Sequence, residues 1–147
     1  MIFITGDFIS HNLPLETSVV FNASYYDEMM LTHVKVISLI SSYFPKAVLI
    51  PTFGNNDYIF HYQAPNLAFK RHFYQSVYDL WFKSVPANAA LVNAETHSTF
   101  LNGGYYSYLL SENVTVLSMN TLIFNSRDIL IEKESVDMLN LVEKMLS

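Results

Sequence analysis

The feature that most constrains this 147-residue chain is the apolar run Ala47-Val-Leu-Ile50, which passes directly into Pro51-Thr-Phe-Gly-Asn-Asn-Asp57. Four or five apolar residues ended by turn formers predict a buried strand whose tip carries Gly54, two amides and a carboxylate. The same unit stands at the amino terminus, where Ile2-Phe-Ile-Thr5 leads into Gly6-Asp7. Apolar positions on both faces of that run predict an internal strand, so the fold class is expected to be α/β. Hard oxygen ligands are expected at the rim of its sheet.

Between the two units lies a predicted helix, from about Tyr25 to Phe44. Met30, Val34, Ile37, Ile40 and Phe44 follow the helical spacing, and Pro45 stops it. The order is strand, helix, strand. A right-handed crossover makes the two strands parallel neighbours, and Asp7 and Asn55 then share one edge.

The rest of the chain continues as mixed α and β. An aromatic loop, Tyr58-Ile-Phe-His61-Tyr62, precedes a predicted helix over 69–83 with Phe73, Val77, Leu80 and Trp81 as its apolar stripe. A shorter helix is expected from about Ala89 to Leu101, ending at Gly103-Gly104. Residues 105–110 and 114–119 read as an antiparallel pair joined by Ser111-Glu-Asn113. Residues 120–133 read as irregular, and Val136, Leu139, Val142 and Leu146 space out a final helix. No internal repeat or low-complexity segment interrupts this, so residues 1–147 are expected to form one domain or part of one.

Composition narrows the function classes. Half of the residues are apolar, enough for a sizeable core, and a net charge of -5 argues against a broad nucleic-acid surface. No apolar run reaches the length of a membrane span. Cysteine is absent, which removes disulfides and thiolate metal sites. Nothing at the amino terminus reads as a signal peptide, while Asn22-Ala-Ser24 and Asn113-Val-Thr115 are glycosylation sequons that lean toward a secretory origin. Localisation stays open on these residues.

Asp7 is the first candidate ligand, because a carboxylate after a buried strand can give one oxygen to each of two divalent cations. A turn aspartate is the competing reading. Asn55 offers a neutral carbonyl oxygen suited to a hard or borderline cation, or else serves as a left-handed turn residue beside Gly54. His11, four residues after Asp7, can protonate a departing oxygen; the alternative is a surface histidine. His61 is a second proton donor or phosphate contact, or packs among its aromatic neighbours. His33 and His72 lie within helices and read as structural, and His97 has no evident partner.

Gly6-Asp7 with His11-Asn12, Gly54-Asn55-Asn56-Asp57, and Gly103-Gly-Tyr-Tyr-Ser107 leading into Val116-Leu-Ser-Met-Asn120-Thr121 together resemble the calcineurin-like metallophosphoesterases. The similarity is greatest to the acid sphingomyelinase-like phosphodiesterases, including endopolyphosphatase-like members. Tyr43-Phe-Pro45 and Tyr74-Gln-Ser-Val-Tyr-Asp-Leu-Trp81 fit the same subgroup, so the resemblance covers essentially the whole chain. It implies a β-sandwich flanked by helices with a two-cation site, of zinc or a related metal, at one rim. Asp7 then matches the residue that bridges both metals, Asn55 the ligand to one, and His11 the histidine that assists the phosphate or leaving group. The implied chemistry is in-line attack of metal-activated water on a phosphoester or phosphoanhydride. Family members are secreted or lysosomal and vacuolar.

Three departures from the family pattern qualify what the resemblance implies. Asn56 stands where most members carry histidine, and an amide can donate a hydrogen bond to phosphate but cannot shuttle a proton. The polyphosphatase-like branch shares this asparagine and has a histidine at the place of His61. The Asp-x-His motif that precedes Gly-Asp, and the later Gly-His-x-His segment, are absent. A partial fold lacking its first and last strands, with Asp7 and Asn55 as its only clear ligands, is therefore expected to be inactive as an isolated chain. Self-association through open sheet edges is expected as well. The rival expectation is a non-catalytic interaction module that docks partners through the aromatic loop and the sheet edge.

Overall fold

The computed structural model describes residues 1–9, 23–124 and 132–146. Strand β1 (Ile2–Ile4) is followed by helix α1 (Ala23–Tyr43) and strand β2 (Leu49–Pro51). Helix α2 (Lys70–Tyr78) runs on into a π-helical turn, Asp79–Lys83, and a 3₁₀ segment, Pro86–Leu91, precedes helix α3 (Ala94–Gly103). Strands β3 (Tyr106–Ser111) and β4 (Val114–Ser118), a 3₁₀ turn at Thr121–Phe124 and helix α4 (Glu132–Leu146) complete the order.

Strand β1 pairs with β2 in parallel, with Ile2 opposite Leu49 and Ile4 opposite Pro51. This is the neighbour relation expected from the strand–helix–strand order. Strands β3 and β4 form an antiparallel hairpin with a bulge between Leu109 and Ser111. The two pairs are tied together by side chains: the Tyr106 hydroxyl donates to Pro51 O at 2.6 Å, and Ser118 Oγ donates to the same carbonyl at 3.2 Å. Among the described residues the architecture is thus mixed helix and strand, with two two-stranded sheets.

A polar side chain closes the far edge of β2. Buried Asn88 accepts from Leu49 N at 2.8 Å and donates to Leu49 O at 3.0 Å, as a neighbouring strand would. Leu49 N–H can only donate and its carbonyl only accept, so these two bonds set which end of the amide is oxygen. The other Asn88 proton goes to Trp81 O at 2.8 Å, a carbonyl left near the end of the π-helical turn in which Ser84 N–H reaches back to Asp79 O.

The core is aromatic. Phe53, Phe73, Tyr74, Trp81, Phe82, Phe100 and Tyr106 are all buried, and Phe53–Trp81 ring centroids lie 4.6 Å apart. Each such side chain contributes about 1.5–3 kcal/mol by leaving water, and well-oriented ring pairs add about 0.5–1.5 kcal/mol. Gly104 ends α3 in the left-handed region (φ 71°), where a side chain would collide with Phe53 and Tyr74.

Several boundaries and faces differ from expectation. The helix expected over Ala89–Leu101 is split, because Asn93 Oδ1 accepts Thr96 N–H and caps a new helix there. In α1 the buried residues are Met29, His33 and Ile37, while the expected Val34 and Phe44 are exposed. In α4 it is Glu134 and Met138 that face inward, and Val136 and Leu139 lie about half exposed. The inward turn of Glu134 has a cause: it forms an ion pair with Lys70 of α2. His72, expected to be structural, is exposed on α2.

Candidate functional site

The site is built where the ends of β1 and β2 meet. Gly6 (φ 89°) and Gly54 are in backbone contact, and a Cβ on either would overlap the other loop. Glycine is required at both positions by this close approach. The crossing drives Asp7 into the left-handed region (φ 59°), a conformation that aspartate tolerates better than most residues.

Asp7 is exposed, and its Oδ1 accepts Asn56 N–H at 3.2 Å. The expectation paired Asp7 with Asn55; the hydrogen bond across the two loops is made by the next residue, Asn56. Asn55 Nδ2 donates to Asn56 Oδ1 at 2.8 Å, so the Asn55 carbonyl oxygen is the atom a cation would take. Asn56 is itself buried. His61 is half-buried, and the backbone N–H of the next residue, Tyr62, bonds Asn55 O at 2.8 Å. His11 lies outside the described residues.

Asp57 behaves differently from the rim ligand that its stretch suggested. It is fully buried, and its carboxylate accepts three backbone N–H groups: Asp7 at 2.8 Å, Phe8 at 2.6 Å and Gly54 at 2.7 Å. Both oxygens are used to hold the two loops together. Burial pushes its pKa up to about 6, against the opposing pull of those three N–H groups and with help from the Asp7 charge.

Behind this clamp stands His33, which no sequence signal singled out as part of the site. Its ring stacks on Phe8 at 4.8 Å and lies 6.0 Å from Trp81. Neither ring nitrogen has a well-formed hydrogen bond, and burial lowers its pKa to about 4, with the nearby Asp57 backbone opposing. A histidine at helical spacing on an otherwise apolar face was the available clue. His97, unassigned from the sequence, has Nε2 3.1 Å from Gln75 Oε1 and packs edge-on to Tyr78.

The aromatic loop is only partly presented to solvent. Tyr58 and Ile59 are buried, Tyr58 edge-on to Phe73 at 5.0 Å, whereas Tyr62 is exposed with φ 60°. The docking surface expected from the whole loop is reduced by this packing. An open groove of about 390 Å³ lies elsewhere, between Asn93, Thr96, Tyr108, Leu109 and Met145, and includes none of the candidate residues.

Among the described residues, no cluster of three or more His, Asp or Glu side chains could hold a metal ion. Asp7 and Asn55 alone, one anionic and one neutral oxygen, would fall short of the donor set that two cations need. Among the described residues, too, no helix is long and apolar enough to cross a membrane.

No family model matches the chain. It is 28% identical over 107 residues, 70% of its length, to a Dictyostelium discoideum protein named sphingomyelinase phosphodiesterase C. The match spans 21% of that protein, so the chain corresponds to about a fifth of the length of this curated relative.

Proposed function

We propose that the chain carries one rim of a calcineurin-like metallophosphoesterase centre of the acid sphingomyelinase-like kind, and that by itself it is inactive or nearly so. The observation that carries this reading is the meeting of the Asp7 loop and the 54–56 loop at the tips of two parallel strands, through the 3.2 Å bond from Asn56 N to Asp7 Oδ1. The distant similarity to a sphingomyelinase phosphodiesterase supports the same lineage.

In this reading Asp7 supplies the charged oxygen and Asn55 the neutral one toward a divalent cation, zinc or a related ion. Such a cation, when bound, supplies neutralisation of phosphate charge and acidification of water. Asn56 holds the Asp7 carboxylate in place through its backbone N–H, its own side chain being buried rather than presented to phosphate. Asp57 fixes both loops from behind. His61, in the loop that bonds back to Asn55 O through Tyr62 N–H, is the proton donor or phosphate contact, with His11 as the other candidate for that role. The substrate class is a phosphodiester or phosphoanhydride.

Calorimetric titration with Mn²⁺ or Zn²⁺ tests the placement. One weakly bound ion is expected, lost in Asp7→Ala, with no hydrolysis of bis(p-nitrophenyl) phosphate. Two tightly bound ions with turnover would overturn the inactivity, and binding unchanged in Asp7→Ala would overturn the site.

A second reading, a docking module, is favoured by one observation. Among the described residues β1 pairs only with β2, and it leaves Phe3 58% and Met1 43% exposed beside its open edge. Phe3→Lys should reduce any self-association seen in sedimentation, and a strictly monomeric wild-type chain counts against this reading.

A further inference from the structure

The hairpin end of β3 and β4 is untouched by the proposed site and carries a motif with its own chemistry. Glu112 and Asn113 form the turn between the two strands, and Asn113-Val-Thr115 continues into β4. Asn113, Val114 and Thr115 are all exposed. Ser111 pairs with Val114 and Leu109 with Thr115, so the acceptor amide stands at the apex of a tight turn with its threonine two residues on along an exposed strand. The other sequon differs: Asn22 lies outside the described residues, and Ala23 and Ser24 already belong to α1.

We propose that Asn113 is an acceptor for an N-linked oligosaccharide when the chain is delivered to the lumen of the secretory pathway. The donor is a lipid-diphosphate-linked oligosaccharide. Asn113 Nδ2 forms a bond to the anomeric carbon, the bond from that carbon to the diphosphate oxygen breaks, and the lipid diphosphate departs while the amide loses one proton to the transferase. Thr115 supplies the hydroxyl that the Asn-x-Thr pattern requires, and Val114 between them is not proline. Packing leaves room for the product. The neighbouring large side chains Leu109, Leu110 and Val114 are 65%, 44% and 47% exposed, so the sugar stands over an apolar hairpin end without displacing the core.

This inference is independent of the phosphodiesterase reading, since it concerns a surface remote in sequence from Asp7 and is read without any activity. The full chain, fused to a cleavable secretion signal, is translated with microsomes, and lumenal delivery is verified by protease protection. Peptide-N-glycosidase in heavy-oxygen water then marks each occupied asparagine as a labelled aspartate for mass spectrometry. Labelled Asn113 is expected, lost in Thr115→Ala and retained in Thr115→Ser. Protected chain with unlabelled Asn113 overturns the proposal.

Discussion

Replacing His33 by phenylalanine tests the clamp that holds the candidate site. The ring is fully buried between α1 and the Asp7–Phe8 loop, stacked on Phe8, and its nitrogens lack well-formed hydrogen bonds. Its pKa falls from 6.5 to about 4 on folding. Between those values the unfolded chain holds a proton that the folded chain does not, so the His33 contribution is fully present above pH 6.5 and is lost as pH falls through 4. A shift of that size corresponds to roughly 3 kcal/mol. Asp57 opposes it. Its folded pKa, raised from 3.8 to about 6, makes a contribution that is present below pH 3.8 and lost as pH rises through 6, again roughly 3 kcal/mol.

The two slopes nearly cancel in the intact chain, so single variants unmask them. Urea unfolding in chelator, stepped from pH 4 to 7, should show wild-type stability relative to His33→Phe rising by about 3 kcal/mol with pH. Relative to Asp57→Asn, wild-type stability should fall by a similar amount over the same interval. A pH-independent difference for His33→Phe would refute the claim that the histidine is folded neutral behind the loop.

Two further outcomes follow from packing. Asn88→Ala removes three buried hydrogen bonds and leaves Leu49 and Trp81 backbone groups unsatisfied, so a loss of about 3–4 kcal/mol is expected in urea unfolding. Gly54→Ala places a methyl group against the backbone nitrogen and carboxylate of Asp7, and should lower the melting temperature in thermal unfolding followed by circular dichroism.

Much of the site's neighbourhood was legible in local residue order. Two apolar runs each ending in glycine and an oxygen-bearing side chain, separated by a helical pattern, are enough to pair β1 with β2 in parallel and to bring the loops after them together, where Asn56 N–H bonds Asp7. Turn chemistry acts over a few residues, so it can be read from them. The hairpin around Asn113 was legible for the same reason.

Direction and phase were settled only by contacts made across the fold. The residues Gly54-Asn-Asn-Asp57 do not say that Asp57 turns inward; that depends on N–H groups 49 and 50 residues away. Helical spacing gives a stripe but leaves which stripe faces inward to whatever packs on it, so His33 is buried while Val34 is exposed, and Glu134 is inside because Lys70 meets it. Asn88 closes the edge of β2 from 39 residues on, where its polar side chain carries no local signal. Burial free energy depends on area and partners assembled from the whole chain, and these exist only once the chain has folded.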